Sequence, residues 1–275
     1  MADRHEAANE PRFSFGRNWQ SYLNVLSEER IAFATSSLEQ MLGPGRAAGR
    51  TFLDVGSGSG LSSLAASRLG ASRIHSFDFD PDSVACTEAV RKRYAPGASW
   101  TVERGSALDA SYLASLAEWD IVYSWGVLHH TGEMWTAIDR VSRLVRLDGL
   151  LFIAIYNDQG PVSRGWKAVK RLYNTGSPGR LVVTSAFFPY FAARGVVADL
   201  LRLRNPLTRY REYHRTRGMS MMHDWTDWLG GYPFEVATPE RIFDFCRSRG
   251  FSLETLRTCG GKLGCNEFVF RRVRA

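Results

Sequence analysis

Between Arg50 and Asn157 the chain alternates compact apolar runs with stretches of helical spacing. The runs FLDV (52–55), RIHSFD (73–78), WDIVYSW (119–125) and LLFIAIYN (150–157) read as strands. Strands separated by helices build βαβ units, so the pattern predicts an α/β fold around a largely parallel sheet. Upstream, Trp19, Tyr22, Leu23, Leu26, Ile31, Phe33, Leu38 and Leu42 recur near helical spacing and Gly43-Pro44 closes the run, which predicts a helical cap over residues 1–48. Residues 49–157 form the core. From Asp158 to about Pro233 the alternation stops, and WKAVKRLYN and GVVADLLRL mark a helical insertion over 158–233. The core resumes over 234–275: Thr238 caps a helix with Pro239 at its first position, Gly250 ends it, and FSLETLRTCGG and CNEFVFRRV form a closing strand pair.

Length changes this picture little. A chain of 275 residues suits a core of about 200 residues plus an insertion better than two full domains. MADRHEAANEPRF lacks the basic, apolar and small-residue order of a secretion signal, and the apolar stretch Leu181 to Leu203 is interrupted by Pro189, Arg194, Asp199 and Arg202, a poor pattern for a membrane span. Cys86, Cys246, Cys259 and Cys265 show neither metal spacing nor a disulfide framework, so a reduced, cytoplasmic protein without a metal is expected.

Charge changes it more. Arg164 to Arg217 holds twelve Lys or Arg against Asp199 and Glu212, a surplus of +10, while the whole chain carries +7. The remainder is therefore slightly acidic, and the basic character belongs to the insertion. The same stretch contains AFFPYF, Val196, Val197, Leu200, Leu201 and Leu203. A solvated helix face, a site for an anionic substrate or nucleic acid, and a membrane-surface patch on the inner face of a membrane are the competing readings.

Candidate chemistry begins after the first strand. FLDVGSGSGLSSL places Asp54 at a strand end, then Gly56, Gly58 and Gly60, then a helix start, an arrangement that lets a ligand approach the backbone closely. The dinucleotide pattern G-x-G-x-x-G fails, because Leu61 and Ser63 stand where its last glycine belongs. The turn resembles motif I of the class I S-adenosylmethionine (SAM) methyltransferases. FDFDPDSV resembles that family's second motif, WDIVYSWGVLHH its strand after the cofactor site, and LVRLDGLLFIAIYN its helix end and fifth strand, with Asp148 in place of the usual proline in a helix-to-strand turn. The likeness is strong over about residues 50–157 and moderate in the C-terminal hairpin. It implies a seven-stranded Rossmann-like methyltransferase sheet, mostly parallel with a C-terminal antiparallel hairpin, and a helical lid insertion.

The resemblance implies SAM as cofactor and assigns roles. Asp54 with Gly56, Ser57, Gly58 and Gly60 holds the methionine end, Asp78 the ribose, and Phe79 flanks the adenine. Ser106 and Ala107 stand where an acid often contacts adenine, with Asp109 not assumed to compensate, and Trp125 borders the cofactor. The N-terminal cap is expected over the cofactor mouth. For a base, His129 and His130 are first candidates, since imidazole titrates near neutrality and their loop borders the methyl group in the family. His223 with Asp224, and Tyr156, are further catalytic candidates. Asn157, Asp158, Gln159, Asn266 and Glu267 are expected around the acceptor.

Neither an Asp/Asn-Pro-Pro-aromatic motif nor a Pro-Cys pair follows the fourth strand, where Ser124-Trp125-Gly126-Val127-Leu128 stands, so nucleic acid is less favoured. The expected activity is methyl transfer to O or N of a small-molecule or lipid-like acceptor. The alternatives are a tRNA-modifying methyltransferase, because VLHHT also resembles enzymes acting on wobble uridines, and a protein that binds SAM without turnover.

Overall fold

A computed structural model of the chain describes residues 26–203, 205, 208 and 221–274, with the side chains of 221–224 and 227 excepted. Strands β1 (Thr51–Val55), β2 (Arg73–Asp78), β3 (Trp100–Arg104), β4 (Trp119–Trp125), β5 (Val145–Tyr156), β6 (Phe251–Arg257) and β7 (Cys265–Arg272) form one sheet in the order β3-β2-β1-β4-β5-β7-β6. The first five run parallel, and β7 enters antiparallel between β5 and β6. The expected sheet, including its antiparallel closing hairpin, is the one found.

Why the central strands read as unbroken apolar runs follows from their cover on both faces. Leu53, Val55, Val122, Leu151 and Ile153 pack on one side against helices α5 (Met134–Ser142) and α9 (Pro239–Arg247). Phe52, Ile121, Tyr123 and Phe152 alternate to the other, against α1 (Glu28–Leu42), α2 (Leu61–Arg68) and α3 (Pro81–Tyr94). Helix α4 (Ala110–Ser115) follows β3, its amide donors capped by Asp109. Ser27, Asp80 and Thr238 likewise cap α1, α3 and α9. The first five strands thus share one carboxyl edge, and their order reverses between β1 and β4, which opens a crevice there.

Among the described residues three helices lie between β5 and α9: α6 (Pro161–Tyr173), α7 (Ser177–Leu200) and α8 (Met221–Gly230). They gather around Tyr173, Val183, Leu229, Trp166, Phe187, Phe191 and Trp228, an aromatic cluster separate from the sheet's two cores.

Two expectations are corrected. The described part of the N-terminal cap does not lie over the mouth of the crevice: Ile31, Leu38, Met41 and Leu42 of α1 pack with Leu64 and Phe52 on the flank of the sheet, because that stripe of the helix is the apolar one. Trp19, Tyr22 and Leu23 lie outside the described residues. Asp148, expected in a turn, sits within β5 at φ 61°, where β4 and β5 shift register between Trp119 and Ile121. Aspartate tolerates this left-handed backbone better than most residues.

Candidate active site

The glycine turn leaves β1 and enters α2 with Gly56, Gly58 and Gly60 all at positive φ. Two of them are also held by close contact. A Cβ on Gly56 would stand 2.4 Å from the Val127 side chain, and one on Gly60 would stand 2.9 Å from the Thr87 backbone. The amides of Gly56 and Ser57 donate to the Phe77 carbonyl, Gly58 to Asp78 and Gly60 to Ser57. What this turn offers a ligand is therefore close approach, while these amides are occupied within the protein.

Asp54 and Asp78 flank the turn. Asp54 is buried, accepting from Ser63 Oγ at 2.5 Å in a chain that continues through Ser76 to the Trp100 indole. Burial pushes its carboxyl up to about 7, the Ser63 hydrogen bond opposes this, and Asp78 adds to it. Asp78 accepts the Gly58 amide on Oδ2 and the Asp80 amide on Oδ1, both at 2.9 Å, and burial raises it to about 6. A carboxylate offers about four acceptor sites, more than the amides of Gly58, Phe79 and Asp80 use, so acceptor capacity is left for a ribose hydroxyl. Two carboxyls held above their ordinary range by burial mark a place that gains from a cationic ligand.

At the carboxyl edge of β4, the loop that packs on Gly56 leads from Val127 directly into His129 and His130. Ser124 Oγ ties the same strand to the Val55 carbonyl at 2.9 Å. His129 is fully buried beneath the Tyr156 ring, centroids 4.0 Å apart. Neither of its nitrogens makes a hydrogen bond of ordinary geometry, although the Ala154 carbonyl slightly favours its protonated form. Burial, then the neighbouring His130 and Lys170, hold it well below the usual imidazole range. His130 is partly exposed and places Nδ1 2.6 Å from the Pro233 carbonyl. A carbonyl only accepts, so Nδ1 carries the proton and Nε2 is the lone-pair nitrogen. Burial lowers His130 to about 3 against the opposing Pro233 bond.

Of the histidine pair, His130 is the one a bound molecule can reach; His129 is sealed in, which corrects the expectation that either could serve. Tyr156 stands at the end of β5 against Trp228 at 5.8 Å and Phe234 at 5.2 Å, forming an aromatic wall beside the pair.

Sequence reasoning missed several members of this wall. Lys170 of α6 is fully buried, donates to the Trp228 carbonyl, and places its ammonium 4.4 Å from the Trp228 ring centre. Glu235 accepts the Met134 amide at 2.9 Å while its own amide donates to the His129 carbonyl. The legible signal was a lysine on the stripe Trp166, Val169, Lys170, Tyr173, which is otherwise apolar.

Other expected site residues are placed differently. Asn157 and Asn266 are buried and bonded to each other at 3.0 Å, and Gln159 donates to the Gly261 carbonyl. These amides brace β5 to the closing hairpin instead of lining an acceptor cavity. Glu267 accepts from the Trp125 indole at 3.0 Å and from Arg257 at 3.3 Å. Trp125 thus stands half-exposed at the end of β4, with its N–H engaged. Phe79 is exposed beside the Arg104 guanidinium, Ser106 Oγ accepts the Leu108 amide, and Ala107 packs in the core. His223 and Asp224 fall in the first turn of α8, and their side chains lie outside the described residues.

A sheet of this order, with a glycine turn after β1 and an acid closing β2, defines a class I, SAM-dependent methyltransferase domain. Residues 53–153 match the family described as a methyltransferase domain. It is 38% identical over 86 residues to ribosomal protein L11 methyltransferase of Anoxybacillus flavithermus, covering 26% of this chain and 28% of that protein. It is 32% identical over 116 residues to ubiquinone biosynthesis O-methyltransferase of a Methylobacterium species, covering 42% and 45%. The matches thus span less than half of either relative. Magnesium protoporphyrin IX methyltransferase from Synechocystis, crystallised with S-adenosylhomocysteine (SAH), shares the fold at TM-score 0.50 and 14% identity over 88% of this chain and 83% of that one.

The cofactor of this domain is SAM, and the residues present fit it. The remaining acceptor capacity of Asp78, the raised carboxyls of Asp54 and Asp78, and a glycine turn that a Cβ would obstruct suit a ribose and an ammonium group brought close to the backbone.

Proposed function

We propose that this protein transfers a methyl group from SAM to an oxygen or nitrogen of a small-molecule or lipid-like acceptor. The observation that carries the reading is the juxtaposition of the glycine turn with His130: Gly56 packs on Val127, and three residues further His130 is fixed as the Nδ1–H tautomer beside the Tyr156, Trp228 and Phe234 wall. An aromatic wall with one oriented polar group suits an acceptor that is mostly apolar.

When bound, SAM supplies a methyl group already activated on a sulfonium. The chain's own part is to bind, orient and exclude water. Asp78 receives the ribose hydroxyls. Asp54, through its electrostatic field, favours the ammonium. His130 Nε2 accepts the hydrogen bond of the acceptor's O–H or N–H and so aims its lone pair; with a pKa of about 3 the ring stays neutral and does not repel a sulfonium. Such a weak base takes the proton only as methyl transfer makes the acceptor acidic.

Calorimetric titration of the protein with SAM and SAH, repeated on Asp78→Ala, tests the first half. Saturable binding weakened about tenfold to a hundredfold by the substitution is expected, since hydrogen bonds to a charged group are worth ~1.5–3 kcal/mol. Isotope transfer from methyl-labelled SAM to candidate acceptors tests the second. A folded chain that binds neither cofactor form overturns the reading.

A further inference from the structure

Helix α7 has 24 residues, or about 36 Å at 1.5 Å per residue. Among the described residues it alone is long and apolar enough to pass for a membrane span, with a window of mean hydropathy 1.5, yet only 6% of that window is buried. Its two sides differ. Phe187, Phe188 and Phe191 face Trp166 of α6 and Trp225 of α8 at 5.3–6.3 Å, and Val183 is buried among them. The opposite side presents Val182 (60% exposed), Tyr190 (51%), Val197 (54%) and Leu200 (57%), continued by Leu201 (82%) and Leu203 (97%). Helical spacing places Ala186, Pro189 and Ala193 on that same side, and all three are exposed.

Among the described residues of α6 and α7 the exposed charge is of one sign. Arg164, Lys167, Arg171, Arg180, Arg194 and Arg202 are exposed, whereas Asp199, the sole acid between 161 and 203, is buried. We propose that this face of α7 docks on an anionic lipid bilayer, lying in the plane of the interface with its apolar strip in the acyl boundary and the flanking arginines among the headgroups.

The same observations separate the occupants. A second copy of the chain would bring an identical cationic rim against this one and add like-charge repulsion. Nucleic acid would satisfy the arginines but leave Val182, Val197 and Leu200 facing phosphates. A full membrane crossing would carry the aromatic side of α7, and with it the charged α6, into hydrocarbon. Only an anionic interface satisfies both the strip and its rim. Docked this way, α6 and α8, which supply Lys170 and Trp228 to the wall beside Tyr156, sit at the lipid surface. An amphiphilic acceptor then enters from the bilayer, a consequence that rests on the proposed transfer, whereas the docking itself does not.

Flotation of the full chain with vesicles of equal phosphatidylglycerol and phosphatidylcholine, compared with phosphatidylcholine alone, is the test. Wild type is expected to float with the anionic vesicles and about tenfold less with the neutral ones. The variant Val182→Glu/Val197→Glu/Leu201→Glu is expected to lose at least about tenfold of the bound fraction, with unchanged thermal melting and unchanged calorimetric SAM affinity. Arg180→Glu/Arg194→Glu, which leaves the strip intact, is expected to weaken binding to anionic vesicles alone. Failure of the wild type to float, or equal flotation by the triple variant, overturns the proposal. So does a triple variant whose only change in sedimentation is dissociation of a dimer. Flotation by a chain that does not bind SAM supports the docking and counts against the transfer reading alone.

Discussion

Asp54→Asn separates what the buried carboxylate does for the fold from what it does for the ligand. In the folded protein its pKa rises from 3.8 to about 7, with burial as the main cause. The folded state therefore binds this proton more tightly than the unfolded chain. The associated stability is fully present below pH 3.8 and is lost as the pH rises through about 7. At ~1.36 kcal/mol per pH unit the gap amounts to about 4 kcal/mol of destabilisation at pH 8. Asparagine keeps the shape and removes the charge, at a cost of roughly 1–2 kcal/mol for an amide donor set against the Ser63 hydroxyl. Asp54→Asn is thus expected to be more stable than wild type by roughly 2–3 kcal/mol at pH 8 and less stable by roughly 1 kcal/mol at pH 4, where the charge penalty has nearly gone and the amide cost remains. Urea unfolding followed by tryptophan fluorescence at both pH values measures it. SAM affinity should move the other way, about tenfold weaker or more, through loss of attraction to the ammonium. A variant less stable than wild type at pH 8 would refute the argument, because it would mean the carboxylate is already compensated in the free protein.

Gly56→Ala places a Cβ 2.4 Å from Val127 at φ 78°, and is expected to cost roughly 2–4 kcal/mol in chemical denaturation and to abolish SAM binding by displacing the histidine loop. Nitrogen-15 NMR of the imidazoles should find His130 neutral and protonated at Nδ1 from pH 8 down to about pH 4; titration near 6.5 would contradict the buried contact with Pro233. Because its folded pKa is depressed, the stability it contributes is complete above pH 6.5 and lost as the pH falls towards about 3. Asp120→Ala removes the acceptor of the Thr51 amide and hydroxyl and of Arg50 and Arg146, and is expected to cost roughly 2–3 kcal/mol at pH 7. Burial raises the Asp120 pKa, but those hydrogen bonds outweigh it and hold the carboxyl well below 3.8. The difference from wild type should shrink as the pH falls below that value.

The chain by itself determined the strand–helix alternation, the glycine turn and the two acids at the ends of β1 and β2. These are local properties: an apolar run covered on both faces, a positive φ, and an acid placed by its own strand. The tertiary structure decided what depends on distant partners. Pro233, 103 residues beyond His130, selects its tautomer; Asn266, 109 residues beyond Asn157, turns an expected acceptor-binding amide into a brace. Lys170 entered the wall because the Trp228 carbonyl, 58 residues away, receives its ammonium. The sequence of α7 likewise showed apolar and cationic residues interleaved, but which of them face α6 and which face outward depended on how three helices pack, since a periodicity of 3.6 defines a stripe without naming what covers it.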